Sequence, residues 1–170
     1  MSASVARWSA ARAQLWYQQQ PWRKGANFLP STASNQMEMF QASTFDVVTL
    51  SRELRWAADF GFNLMRVFLH DMLYDDGPRF LDRLDQYLSI AHSAGIASLL
   101  VLFDGCWDPS PHVGRQLDPR PRVHNSRWLQ SPGRAALTNI SEHEARLRKY
   151  VHAVVGRFAN DTRVVMCVRT

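Results

Sequence analysis

Glutamate is scarce in this chain, four residues in 170, and cysteine scarcer, at two. Two cysteines without a Cys-x-x-Cys pair make no disulfide framework. Cys106 and Cys167 therefore read as free thiols, Cys106 as a small buried residue. No apolar stretch nears the roughly 20 residues that cross a bilayer, so no membrane partner is expected. The start, Met1-Ser-Ala-Ser-Val-Ala-Arg-Trp-Ser-Ala10, lacks the charged opening and apolar run of a signal peptide. As written, the chain reads as cytoplasmic. Missing too is a glycine-rich phosphate loop: Ala26-Asn-Phe-Leu-Pro-Ser-Thr-Ala-Ser34 has neither the dinucleotide nor the P-loop spacing. There is no Gly-x-Ser-x-Gly elbow. His70, His112 and His124 fall at no standard zinc spacing. Neither metal nor cofactor is expected.

What is present is the material of a core. Hydrophobic residues make up 46% of the chain and include six tryptophans, a globular composition. The net charge of +5 invites a nucleic-acid reading, since clustered Lys and Arg neutralise phosphates. The arginines are dispersed among acids, however. Their densest group, Arg115, Arg120, Arg122, Arg127 and Arg134, lies in a proline-rich loop without the motif of any nucleic-acid module. No nucleic-acid partner is expected.

Periodicity sets the order of elements. Trp8, Ala11, Leu15 and Trp16 predict a short helix over 8–20, ended by Pro21. Lys24 to Pro30 reads as a first strand, followed by a polar loop to about Phe45. Thr49 to Phe60 is helical, with Leu50, Leu54, Ala57 and Ala58 inward and Gly61 as its stop. Phe62 to Leu69 is the second strand. Pro78 suits the first turn of the next helix, whose stripe of Leu81, Leu84, Leu88 and Ala91 ends at Gly95. Ile96 to Phe103 is the third strand, and Asp104 to about Asn139 is irregular. Ser141-Glu-His-Glu144 has capping-box spacing. Leu147, Tyr150, Val151, Val154, Val155 and Phe158 continue that helix, and Val164 opens a fourth strand. Strands alternating with helices imply a parallel sheet with right-handed crossovers in one domain, residues 1–170. A partial (β/α)8 barrel and a small doubly wound sheet both satisfy that order.

Polar groups gather where the apolar strands stop. His70 and Asp71 end the second strand; Asp104, Trp107 and Asp108 end the third. In β/α barrels such strand ends build the active-site mouth. Arg66, inside the second strand, is either one half of an ion pair bracing the sheet or an arginine orienting a carboxylate at the mouth. Trp107 and Trp128 either present aromatic faces to a ring-shaped ligand or pack the long loop against the strands.

Taken in order, several segments resemble the N-terminal half of a clan A glycoside hydrolase, close to the family-five cellulase-like proteins. They are Lys24-Gly-Ala-Asn-Phe-Leu-Pro-Ser-Thr-Ala-Ser-Asn-Gln-Met-Glu-Met-Phe40, Phe45-Asp46, Asn63-Leu-Met-Arg-Val-Phe-Leu-His-Asp71, Val101-Leu-Phe-Asp-Gly-Cys-Trp-Asp-Pro109 and Val123-His-Asn-Ser-Arg-Trp-Leu-Gln-Ser-Pro-Gly133. The resemblance implies a (β/α)8 barrel that hydrolyses β-linked glycans with retention of configuration. Two glutamates about 5 Å apart do that work. One stands in an Asn-Glu-Pro sequence ending the fourth strand, and the other ends the seventh. Arg66 matches the arginine that supports the nucleophile. Asn35, Glu38, His70, Asp104, Trp107, His124, Asn125 and Trp128 match positions lining the substrate cleft or its loops.

The chain departs from the pattern where the acid/base is due, reading Val165-Met-Cys-Val-Arg-Thr170. Glu53, Glu142 and Glu144 fall on predicted outer helices, which leaves Glu38 as the one glutamate able to reach the cleft. The expectation is a partial barrel of three β/α units and the start of a fourth strand. Both catalytic glutamates are missing from it; it binds sugar weakly at best and self-associates through its open edges. A non-catalytic carbohydrate-binding or scaffold half-barrel is the alternative.

Overall fold

Four strands organise the computed structural model, which describes residues 7–169. The leader reading of Met1 to Ala6 and the final Thr170 lie outside the described residues. β1 (Gly25–Asn27), β2 (Leu64–Phe68), β3 (Ala97–Phe103) and β4 (Val164–Arg169) lie side by side in that order, every pair parallel. A helix α1 (Ala10–Gln18) precedes them. The crossovers carry α2 (Gln36–Phe40) and α3 (Val47–Asp59), then α4 (Pro78–Ser93) after a 3-10 turn at Asp71–Asp76, then α5 (Arg134–Thr138) and α6 (Ile140–Phe158).

The helix boundaries follow from local chemistry. Asp46 caps α3 by accepting from the N–H groups of Val48 and Thr49, both at 3.0 Å. Hydrogen bonds from Thr49 hold the Asp46 carboxyl below its usual range. That cap moves the start of α3 to Val47, two residues before the expected one. Gly61 and Gly95, at φ 83° and 75°, close α3 and α4 in the left-handed conformation that a Cβ disfavours.

Packing decides between the two candidate folds. Met65, Val67 and Leu69 of the β2 segment and Leu100 and Leu102 of β3 share one core with Leu50 and Leu54, Leu84 and Leu88, and Tyr150, Val154 and Phe158. Those partners come from α3, α4 and α6, so all three long crossover helices cover the same face. Burying each large apolar side chain there contributes roughly 1.5–3 kcal/mol. Tyr150 also donates its hydroxyl to the Leu102 carbonyl at 3.0 Å, and burial pushes its pKa up. The opposite face holds a small cluster of Phe68, Val101 and Trp128, with Leu99 and Val168 half-buried beside it. A doubly wound sheet carries helices on both faces and reverses its strand order. Among the described residues the strand order does not reverse, and no long crossover helix packs on the second face. The sheet is wound in one direction, as a barrel wall is.

Several short elements replace expected loop. α2 spans five residues, too few for a periodic signal. Asn35 starts it by accepting from the Glu38 N–H at 3.0 Å, and Phe40 anchors it against Phe45, Phe80 and Tyr87. α5 likewise falls in the stretch read as irregular. The capping box at Ser141 does not form: α6 begins at Ile140 with Asn139 at its N-cap, so Ser141 already lies inside the helix. No helix among the described residues is long and apolar enough to cross a membrane.

Candidate functional site

The candidate site forms where the loops after β2 and β3 meet. The long loop folds back on itself: Asp104 and Ser131 exchange backbone hydrogen bonds at 2.9 Å in both directions. Asp108 donates to the Trp128 carbonyl at 3.1 Å and accepts from the Gln130 N–H at 2.8 Å. Residues 127–131 thus form a short inner arm of the loop, and buried polar side chains hold it from below.

Asn35 donates its amide to the Arg127 carbonyl and to the Gln116 side chain, each at 2.9 Å. Gln36 donates to the Leu129 carbonyl at 2.5 Å. His70 is fully buried and spends both ring nitrogens: Nε2–H donates to the Gln130 carbonyl at 3.0 Å, and Nδ1 accepts from the Met72 N–H at 3.2 Å. Burial pushes the His70 pKa down, opposing the pull of the Asp71 carboxylate 3.4 Å away, so the imidazole is neutral at pH 7. Asp71 accepts from the Ser131 hydroxyl at 2.6 Å and from the Arg146 guanidinium at 2.7 Å. One carboxylate therefore ties the end of β2 to the loop arm and to α6.

This arm supports a row of rings. The Arg66 guanidinium lies 4.5 Å from the Phe68 ring, on the face of the sheet opposite α3, α4 and α6. Phe68 meets Trp128 at 4.7 Å, Trp128 meets Trp107 at 5.9 Å, and Trp107 meets His124 at 6.0 Å. The row climbs from the strand to the loop rim. Trp128 is 7% exposed and Trp107 39% exposed, so the inner indole is scaffold and the outer one is surface.

The residues singled out in the sequence take different places along this construction. Trp107 and His124 sit together at the exposed rim, and Asn125 beside them adopts φ 47°. Of the two readings for Trp128, the loop-packing one holds: its ring packs on Phe68. Asn35 and His70 are buried clamps on the loop arm and present no free face to a ligand. Asp104 accepts from the Trp107 indole N–H at 2.9 Å and from the Cys106 N–H at 3.2 Å. Glu38 turns back on the start of α2, accepting from the Ser34 N–H at 2.7 Å and its hydroxyl at 2.8 Å. Arg66 is half-buried, meets the Asn27 amide oxygen at 3.4 Å, and forms no ion pair among the described residues, so it is not half of an ion pair bracing the sheet. Cys106, expected to be buried, is an exposed free thiol because its turn projects beyond the strands.

The sequence reading missed Gln36, Gln116, Ser131 and Arg146, and named Asp71 without a role. It also missed Phe68, although alternation along β2 puts Phe68 on the same face as Arg66. A hollow of about 650 Å³ opens beside the Asp71–Arg146 pair, lined by Asp75, Pro111, Arg134 and His143 among others. Neither Trp107 nor Trp128 lines it. No group of three metal-ligating side chains occurs among the described residues.

No protein-family model matches the chain, and no curated protein matches it. A solved structure does: a GH5_18 protein from Streptomyces cattleya in complex with GlcNAc, at TM-score 0.54 and 18% sequence identity. The match covers 86% of this chain and 34% of that one. The fold is part of a (β/α)8 barrel. The chain spans about a third of the neighbour's length, and at this identity the likeness is one of fold. Within that fold the ring row occupies the C-terminal ends of the strands, where barrels place their active sites.

Proposed function

We propose that these residues form one side of the substrate cleft of a retaining β-glycoside hydrolase barrel and bind a β-linked glycan across the Trp107 face. The observation that supports this reading is the ring row from Arg66 to His124, standing at the strand ends of a barrel wall. A sugar ring offers an apolar C–H face to an indole and hydroxyls to the polar rim. The GlcNAc in the neighbour's structure makes that sugar a natural probe.

Hydrolysis with retention needs two carboxyl groups about 5–5.5 Å apart across the scissile bond. Glu38 is committed to Ser34, Glu53 accepts from the Ser31 N–H at 3.0 Å, and Glu144 pairs with Arg148 at 2.6 Å. Asp104 is committed to Trp107. These commitments favour a chain that binds without cleaving, as a non-catalytic half-barrel would. The exposed edges, β1 and β4, are the surfaces through which copies of the chain would pair.

Incubation with an aryl β-glycoside is the test of the catalytic half. The purified chain should release no aglycone above the blank. Release that persists after Glu38→Gln would show that a catalytic pair exists elsewhere in these residues.

A further inference from the structure

We propose that Asp104 is a positioning residue: its carboxylate locks the Trp107 indole as the ligand-facing plate of the ring row, and it does not meet the ligand itself. The proposal rests on the carbohydrate reading above.

Asp104 is only 6% exposed. Its N–H and C=O are both tied to Ser131, which fixes the backbone from which the side chain springs. One carboxylate oxygen accepts from the Cys106 N–H and closes the turn; the other accepts from the Trp107 indole N–H. Both oxygens are thus occupied within their own loop.

The backbone of Trp107 shows what this arrangement is for. Its φ is 83°, a left-handed conformation that is a genuine outlier for a bulky side chain. Holding it there costs on the order of 1–3 kcal/mol, and the surroundings must over-determine it. They do: Asp104 is bridged to Ser131 on one side, and Asp108 to Leu129 on the other. Glycine would make the same turn without strain. Packing on Trp128 and His124 covers part of the ring, yet 39% of the residue is left exposed. Neither turn geometry nor packing accounts for it. An aromatic face held rigid before binding does, because a ring already fixed loses little freedom when a ligand stacks on it.

The test uses the whole chain and three variants, Asp104→Asn, Trp107→Phe and Trp107→Gly. Indole N–H resonances are recorded without ligand, the Trp107 signal being the one lost in Trp107→Phe. Binding is then titrated with cellohexaose and with N-acetylglucosamine. Asp104→Asn should shift the Trp107 resonance upfield while the other indoles stay put. It should also weaken binding roughly tenfold, the size of one charge-assisted hydrogen bond. Trp107→Gly should abolish binding. An unmoved indole resonance in Asp104→Asn, or wild-type affinity in that variant, overturns the proposal. A wild-type chain that binds neither sugar overturns the carbohydrate reading instead. The ligand-free resonance in Asp104→Asn then still decides whether Asp104 holds the Trp107 ring.

Discussion

Replacing Arg146 with Met is expected to destabilise the fold by about 3 kcal/mol. Asp71 is 1% exposed and depends on Arg146 at 2.7 Å for its counter-charge. Breaking a buried pair from one side leaves an uncompensated charge, typically at 3–5 kcal/mol. The lower end applies because the Arg146 side chain is 30% exposed and water screens part of the interaction. For a domain of this size the loss lowers the melting temperature by on the order of 10 °C. Asp71→Asn removes the charge and keeps an acceptor for the Ser131 hydroxyl. In that background Arg146→Met should cost less than about 1 kcal/mol, since no buried charge is left unpaired. Urea denaturation of the four proteins gives the cycle. Equal costs of Arg146→Met in both backgrounds would mean that the guanidinium acts through packing alone. The consequence reaches the site, because the same carboxylate holds Ser131 and, through it, Asp104.

Gly25→Ala is expected to detach β1 from the sheet. A Cβ at this position would stand 2.1 Å from the Leu64 carbonyl oxygen and 3.0 Å from the Leu64 Cβ. The obstacle is backbone, so a rotamer change cannot relieve it. Overpacking ordinarily costs about 1–3 kcal/mol, and here the upper end or more applies. β1 is three residues long and paired with β2 alone, so displacement is the cheapest response. Hydrogen exchange would report it. The Phe28 N–H, which donates to the Arg66 carbonyl at 2.9 Å, and the Leu64 N–H, which donates to Lys24, should both lose protection. Amides in α4 should keep theirs. Unchanged protection at Phe28 would show that β1 tolerates the methyl group.

The strands and long helices were legible because burial writes them directly into the sequence. Leu99 to Phe103 is a continuous apolar run because side chains on both faces of β3 are buried or half-buried, and α4 shows its stripe because only one of its faces is buried. Glycines at 61 and 95 marked where helices stop. The loop architecture was not legible. The side-chain hydrogen bonds that hold its inner arm to the rest of the fold join residues 60 to 93 positions apart, as in Ser131 to Asp71 and Gln36 to Leu129. Asn, Gln and Ser in a loop look alike whether they are solvated or buried as clamps. Asn35 and His70 therefore read as cleft residues when their side chains are spent on the arm that carries Trp128. Trp107 was legible as an aromatic near a strand end, but its strained backbone and its tie to Asp104 were not. Arg66 was legible as a β2 residue, and of its two readings the ion pair bracing the sheet does not form among the described residues, where it meets the Asn27 amide oxygen instead.

The central claim is that the ring row is a glycan-binding surface. Isothermal titration of the wild-type chain with cellohexaose, beside Trp107→Ala and Trp56→Ala, tests it most directly. Trp56 is 53% exposed on α3, outside the ring row, and serves as the control for surface tryptophan in general. Saturable binding is expected to the wild type and to Trp56→Ala, and none to Trp107→Ala. Binding that survives the loss of Trp107, or a wild-type chain that takes up no sugar, would contradict it.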